Sequence, residues 1–176
     1  MFVIEDLEHA LARGARPLVE LAGYASTCDA YHRVQIAPDL VEPVRAIELA
    51  LADADLAKDE VGYINLHGTS TELNDRMESG AIKKCFGERA GNIPCSSTKS
   101  MIGHPQGACG AAGIAATIIG MRSGVMHPTI NLDTSDPQCD LDYIPHRARK
   151  VDVDVAVCNC IAFGSKNSVV VLKRFT

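Results

Sequence analysis

Three residues combine a side chain able to do chemistry with a position where chemistry is often done: His67, Lys99 and His104. His67 follows Val61-Gly-Tyr-Ile-Asn65, which reads as a strand; Lys99 falls in a polar loop; His104 just precedes a helical stretch. The carboxyl ends of strands, and the loops after them, are where open α/β sheets place their ligands. A neutral histidine can donate a hydrogen bond to an oxygen that becomes negative during a reaction. A lone histidine is more often a satisfied structural residue, so the weight must come from context.

The elements that would carry these residues alternate. Residues 2–4 are apolar enough for a short strand, and 6–14 reads as a short helix with Asp6 as cap and Gly14 as stop. The main series is a strand over 18–25, an amphipathic helix over 41–53 with Val41, Val44, Ile47 and Leu51 at helical spacing, and the strand over 61–65. A helix over 74–86 follows, capped by Asn74 or Asp75 and ended by Gly87; then come a short strand over 93–95, a loop over 96–104 and a helix over 105–121. Two strands close the chain, over 153–160 and 168–173. The order βαβαβαββ predicts an α/β fold: a mixed five-stranded sheet with helices on both faces, helix-linked strands parallel and the last pair antiparallel.

The helix over 105–121 stands apart, because Gly107 to Gly113 contains no bulky side chain. Each glycine in a helix interior costs about 1 kcal/mol relative to alanine. Close approach of neighbouring backbones is the usual compensation, so this helix is expected between two packed layers. Its most apolar part, over 108–121, is shorter than the roughly 20 residues a membrane span needs.

Composition narrows the classes. A net charge of −5 and a pI near 5.6 give no electrostatic case for nucleic acid or an anionic membrane. Seven cysteines without framework spacing suit reduced thiols in the cytoplasm rather than a disulfide scaffold, and the N-terminus lacks the apolar core of a signal peptide. Cys158 and Cys160 share a strand face, but two thiols without a second pair at metal spacing make no zinc site, so no metal is expected. There is no Gly-x-Ser-x-Gly elbow, and Gly103 to Gly113 has neither P-loop nor dinucleotide spacing.

The motifs, taken in order, are specific. Asn65-Leu-His67-Gly-Thr69-Ser-Thr71, with Asn74, Asp75 and Glu78 after it, resembles the His-Gly-Thr-x-Thr turn of the β-ketoacyl-acyl-carrier-protein synthases, condensing enzymes of the thiolase superfamily. Ser97-Thr-Lys99-Ser-Met-Ile-Gly103-His104, followed by Gly107-Ala and Gly110-Ala, resembles their lysine and second-histidine motif. Pro128-Thr-Ile-Asn-Leu132 and Cys139-Asp-Leu-Asp-Tyr143 resemble two structural signatures, and Asn159 to Asn167 stands where the gating loop lies.

The resemblance implies the C-terminal half of such an enzyme: residues 1–15 as a remnant of the N-terminal half, and residues 16–176 as a thiolase-like domain. It implies decarboxylative condensation of a malonyl carrier protein with an acyl thioester, in fatty acid or polyketide biosynthesis. His67 and His104 would hold the enolate oxygen and Lys99 would order the site. Thr69 and Thr71 would contact the phosphopantetheine arm, while Ile161 and Phe163 would lie at the acyl gate. No separate cofactor is implied, since phosphopantetheine belongs to the carrier protein. The implied partners are the N-terminal half, acyl carrier protein and further subunits in a homo- or hetero-oligomer.

Departures qualify the match. The family's nucleophilic cysteine lies in the other half, and Cys95-Ser-Ser sits in a predicted strand, where a structural role is expected. Gly113 stands where many relatives have a glutamate that pairs with the lysine. Ile161 replaces a gating phenylalanine, and Ser165-Lys166 replaces Gly-Thr. A non-catalytic partner subunit of the chain-length-factor kind is the alternative.

Overall fold

The computed structural model describes residues 1–175. Residues 1–6 adopt no regular structure, and Phe2, Val3 and Ile4 are exposed. The strand expected over 2–4 does not form, because no strand among the described residues pairs with it. α1 (Leu7–Ala12) forms as expected: the Asp6 carboxylate accepts from Glu8 N (3.0 Å) and His9 N (3.4 Å), and Gly14 at φ +75° ends the turn.

β1 (Glu20–Cys28) leads to α2 (Val41–Asp53), β2 (Tyr63–Asn65), α3 (Glu72–Phe86) and β3 (Cys95–Ser96). A single turn, α4 (Lys99–Ile102), precedes the long α5 (Cys109–Ser123). A small ribbon of β4 (Val125–Met126) and β5 (Arg149–Lys150) is followed by β6 (Val155–Ala162) and β7 (Lys166–Lys173). The main sheet is five-stranded, in the order β1-β7-β6-β2-β3. β2 is parallel to both β3 and β6, whereas β7 runs antiparallel to both its neighbours. The last pair is antiparallel, as expected, but the helix-linked β1 and β2 do not pair with each other: the β6–β7 hairpin separates them.

Neighbouring residues along β2 and β6 point to opposite faces, and each face has its own core. Ile64, Val155 and Val157 pack with Val44, Ile47 and Leu51 of α2 and with Ile82 and Phe86 of α3. Tyr63, Ala156 and Cys158 pack with Ile118 and Met121 of α5. α2 lies so close to β1 that a Cβ at Gly23 would collide with the backbone at Ala50 and Ala54.

Three local expectations change. α3 begins at Glu72 with Thr71 as its cap; Asn74 is buried inside the helix and Asp75 instead accepts from Ser70 N (3.2 Å). Lys99 begins the one-turn α4 rather than lying in a loop. α5 starts at Cys109, not Pro105, because Gln106 takes a positive φ of 47° and a 3-10 turn over Gln106–Ala108 intervenes. α5 is also covered on one side only: Gly113, Thr117, Ile118, Gly120 and Met121 are buried, but Ile119 is 68% exposed. Among the described residues no helix is long and apolar enough to cross a membrane.

Candidate active site

The parallel strands β3, β2 and β6 end at the same edge of the sheet, and the polar residues that follow them converge there. After β2 the chain turns sharply through His67-Gly68. Gly68 has φ +43°, and a Cβ on it would stand 2.6 Å from Ser97 Cβ, so the turn after β2 and the turn after β3 touch directly. Ser97 Oγ locks them by donating to Gly68 O (2.7 Å).

His67 is buried, and the rings of His67 and His104 meet edge-on, centroids 5.6 Å apart at 80°. Lys99 donates to the carbonyl oxygen of His67 and places its Nζ 3.4 Å from His67 Nδ1. Burial, with the Lys99 and His104 charges alongside, pulls the pKa of His67 down to about 3, so the ring is neutral at neutral pH. An ammonium only donates, so Nδ1 is the acceptor and the proton of His67 sits on Nε2. His104 Nδ1 accepts from Gln106 N (2.9 Å), so the N–H that this ring can donate elsewhere is on Nε2 as well. The pair thus presents two Nε2–H donors.

Beneath them lies a residue that sequence reasoning quoted in a motif but gave no role. Glu78, on α3, is buried; its carboxylate accepts from His67 N (2.8 Å), Gly68 N (2.9 Å) and Asn159 Nδ2 (3.2 Å). Burial pushes its pKa up, against the pull of the donors it holds. The eleven-residue spacing to His67 gave no signal, because the contact depends on how α3 packs under the turn. A buried polar cluster supports the other side. Asn65 Nδ2 donates to Thr98 Oγ1 (3.0 Å), and Tyr63 OH bonds Ser96 Oγ (2.7 Å) beside His127.

A cavity of about 530 Å³ opens beside His104, lined by Thr69, Glu78, Lys99, His104, Asn131 and Tyr143 among others; His67 does not line it. Thr69 Oγ1 and Thr71 Oγ1 are 2.9 Å apart, but only Thr69 lines this cavity; Thr71 is exposed. Ile161 is half-buried near the end of β6, and Phe163 is 79% exposed at the hairpin tip; neither lines a cavity here. A second cavity of about 450 Å³ lies on the α5 side, where Cys109, Gly113, Cys160 and Phe2 contribute to its wall. Cys95 is buried in β3, its pKa well above that of a free thiol, as a structural cysteine would be.

The sheet order and the paired histidines at its edge can be set beside those of known proteins. Residues 18–133 match the family described as beta-ketoacyl synthase, C-terminal domain. The 3-oxoacyl-[acyl-carrier-protein] synthase 2 of Synechocystis sp. is 47% identical over 175 residues, 99% of this chain and 42% of that protein. Among solved structures, a type II PKS acyl-carrier protein in complex with its ketosynthase bound to the hexaketide superposes with a TM-score of 0.95 at 42% identity, covering 97% of this chain and 42% of that one. The ishigamide ketosynthase/chain length factor gives 0.91 at 40% identity, covering 97% and 41%. The chain belongs to the β-ketoacyl synthase family and has the thiolase-like α/β fold of its C-terminal half. It spans about two fifths of the length of these relatives.

Proposed function

We propose that this chain supplies the oxyanion-binding half of a β-ketoacyl synthase that acts on carrier-protein thioesters. The carrying observation is that the two histidines meet edge-on with both Nδ1 atoms engaged, which leaves two Nε2–H groups to donate. In this reading a malonyl thioester oxygen lies between them. As CO₂ leaves, the electron pair of the broken C–C bond forms the enolate, and the two donors hold its negative oxygen. The enolate carbon then attacks an acyl thioester on the cysteine of the N-terminal half, and that thiolate departs. Lys99 keeps His67 in the donating tautomer. Thr69 would meet the phosphopantetheine arm where it enters the cavity, with Thr71 at the rim and Ile161 and Phe163 near the acyl end once the other half is present. Acyl carrier protein and a second subunit are the corresponding partners.

The test joins the chain to the N-terminal half of a related synthase and follows CO₂ release from malonyl carrier protein. His67→Ala and His104→Ala should each slow it by roughly 10²–10³-fold, the usual loss for one oxyanion donor. Rates within a factor of two of the parent would refute the donor assignment. They would favour a non-catalytic, chain-length-factor-like subunit, a reading supported by Gly113, which stands where the family resemblance implies a carboxylate beside the lysine. The chain alone should form no β-ketoacyl product; condensation that disappears in Cys95→Ala would make Cys95 a nucleophile.

A further inference from the structure

Two thiols in the wall of the second cavity have no part in the condensation chemistry. Cys109 opens α5 and Cys160 lies on β6, far apart in sequence, yet their sulfurs are 3.4 Å apart. Cys158, two residues before Cys160, is not part of the pair; its thiol turns to Thr117 Oγ1 (3.4 Å). One ring nitrogen of His67 completes the group, and the three donor atoms all lie within 4.8 Å of one another.

This spacing suits a shared ion better than a covalent bond between the sulfurs. Two thiolates at about 2.3 Å from one tetrahedral Zn²⁺ stand about 3.8 Å apart, whereas a disulfide requires about 2.05 Å. We propose that His67, Cys109 and Cys160 form a binding site for one thiophilic divalent ion of the Zn²⁺ class, with the fourth position open to the cavity. On binding, each thiol gives its proton to solvent and the lone pairs go to the ion; nothing is oxidised. His67 ligates through the nitrogen that carries no proton after tautomer exchange, while Lys99 keeps its bond to His67 O, and ion and enolate compete for His67. Two thiolates neutralise the ion's charge, so the site gains no net charge beside the Lys99 ammonium and the Glu78 carboxylate that flank it. The spacing within β6 concealed this, since the metal partner of Cys160 is Cys109 across the cavity and not Cys158.

The test uses the 176-residue chain, kept reduced with a phosphine, and titrated with Co²⁺ and then Zn²⁺. One equivalent of Co²⁺ should give thiolate-to-cobalt charge transfer and the d–d bands of a tetrahedral site, and Zn²⁺ should displace it. Cys109→Ser and Cys160→Ser should each abolish the charge-transfer band. Each should also weaken Zn²⁺ binding by at least about 100-fold, the upper end of what losing a mere outer-shell partner costs. His67→Ala should weaken binding and shift the d–d bands, and Cys28→Ser should change nothing. An unaltered band in folded Cys109→Ser or Cys160→Ser protein overturns the site, as does failure of the parent chain to bind micromolar Zn²⁺. X-ray absorption on the parent chain is independent of variant folding: two sulfurs and one nitrogen around zinc support the site, and a shell without sulfur refutes it.

Discussion

Both carboxylate oxygens of Glu78 are engaged by the turn that carries His67, one by His67 N at 2.8 Å and the other by Gly68 N at 2.9 Å. The ring of His67 is thus placed from below by a helix that does not carry it. Glu78→Gln keeps the shape but turns an NH₂ group toward one of the two N–H donors. Leaving a buried donor without an acceptor costs about 1–3 kcal/mol. Urea unfolding should register that loss; a variant as stable as its parent would mean that the turn stands without the carboxylate.

Acid should weaken the fold through His67. Its folded pKa, about 3, lies below the ordinary 6.5. Between these values the unfolded chain binds the extra proton. The stabilisation is therefore complete above pH 6.5 and is lost as pH falls toward 3, by up to about 1.4 kcal/mol per pH unit. His67→Asn removes this contribution, while carboxylate titrations common to both chains cancel in the difference. Unfolding free energies between about pH 4 and pH 7.5 should fall more steeply in the parent than in the variant. Parallel curves would show that His67 is free to protonate.

Two glycines of α5 should respond oppositely to alanine. At Gly110 a Cβ meets only Cys160 Sγ at 3.8 Å, an ordinary contact, so Gly110→Ala should gain up to about 1 kcal/mol of helix propensity. At Gly113 the same atom would stand 2.5 Å from Asn65 Oδ1, whose amide is held by Thr98. Overpacking of about 1–3 kcal/mol exceeds the propensity gain there, and Gly113→Ala should be the less stable protein. Paired thermal melts of the two variants decide it; equal stabilisation would show that Asn65 yields freely.

The uncovered side of α5 and the irregular N-terminus should make the chain associate with itself. Val3, Ile4, Ile102 and Ile119 are 76, 75, 57 and 68% exposed, and large apolar side chains that lie together in water mark association surfaces. Sedimentation velocity over a hundredfold concentration range should show a rising sedimentation coefficient. A single monomeric boundary throughout would mean that this surface is tolerated.

Periodicity located the elements well where the chain decides locally. The amphipathic pattern over 41–53 coincides with α2, and Asp6 and Gly14 bound α1 as their cap chemistry requires. Pattern could not show that residues 2–4 lack a partner, or that β1 sits beyond the hairpin, because pairing is decided by the whole sheet. At the site, motif spacing brought His67, Lys99 and His104 forward, and the fold gathers all three. Glu78 as a support for His67, and Cys109 as neighbour to Cys160, were hidden for one reason. Each contact joins elements distant in sequence, and no local period records it.

The pairing of β1 with β7 also dictates when the molecule can become complete. Glu20 meets Lys173, so the first strand of the sheet finds its hydrogen-bond partners only far along the chain, after every other strand of the sheet has been made. β2 likewise awaits β6, and until then only β3 is available to it. During synthesis α2 and α3 therefore have no finished floor on which to bury Ile47, Leu51, Ile82 and Phe86. Contacts of such long sequence separation are slow to form. Apolar faces left waiting for them are where an emerging chain aggregates or recruits a chaperone. The β6–β7 hairpin lies between β1 and β2 and contributes to both cores, so neither core is whole without it.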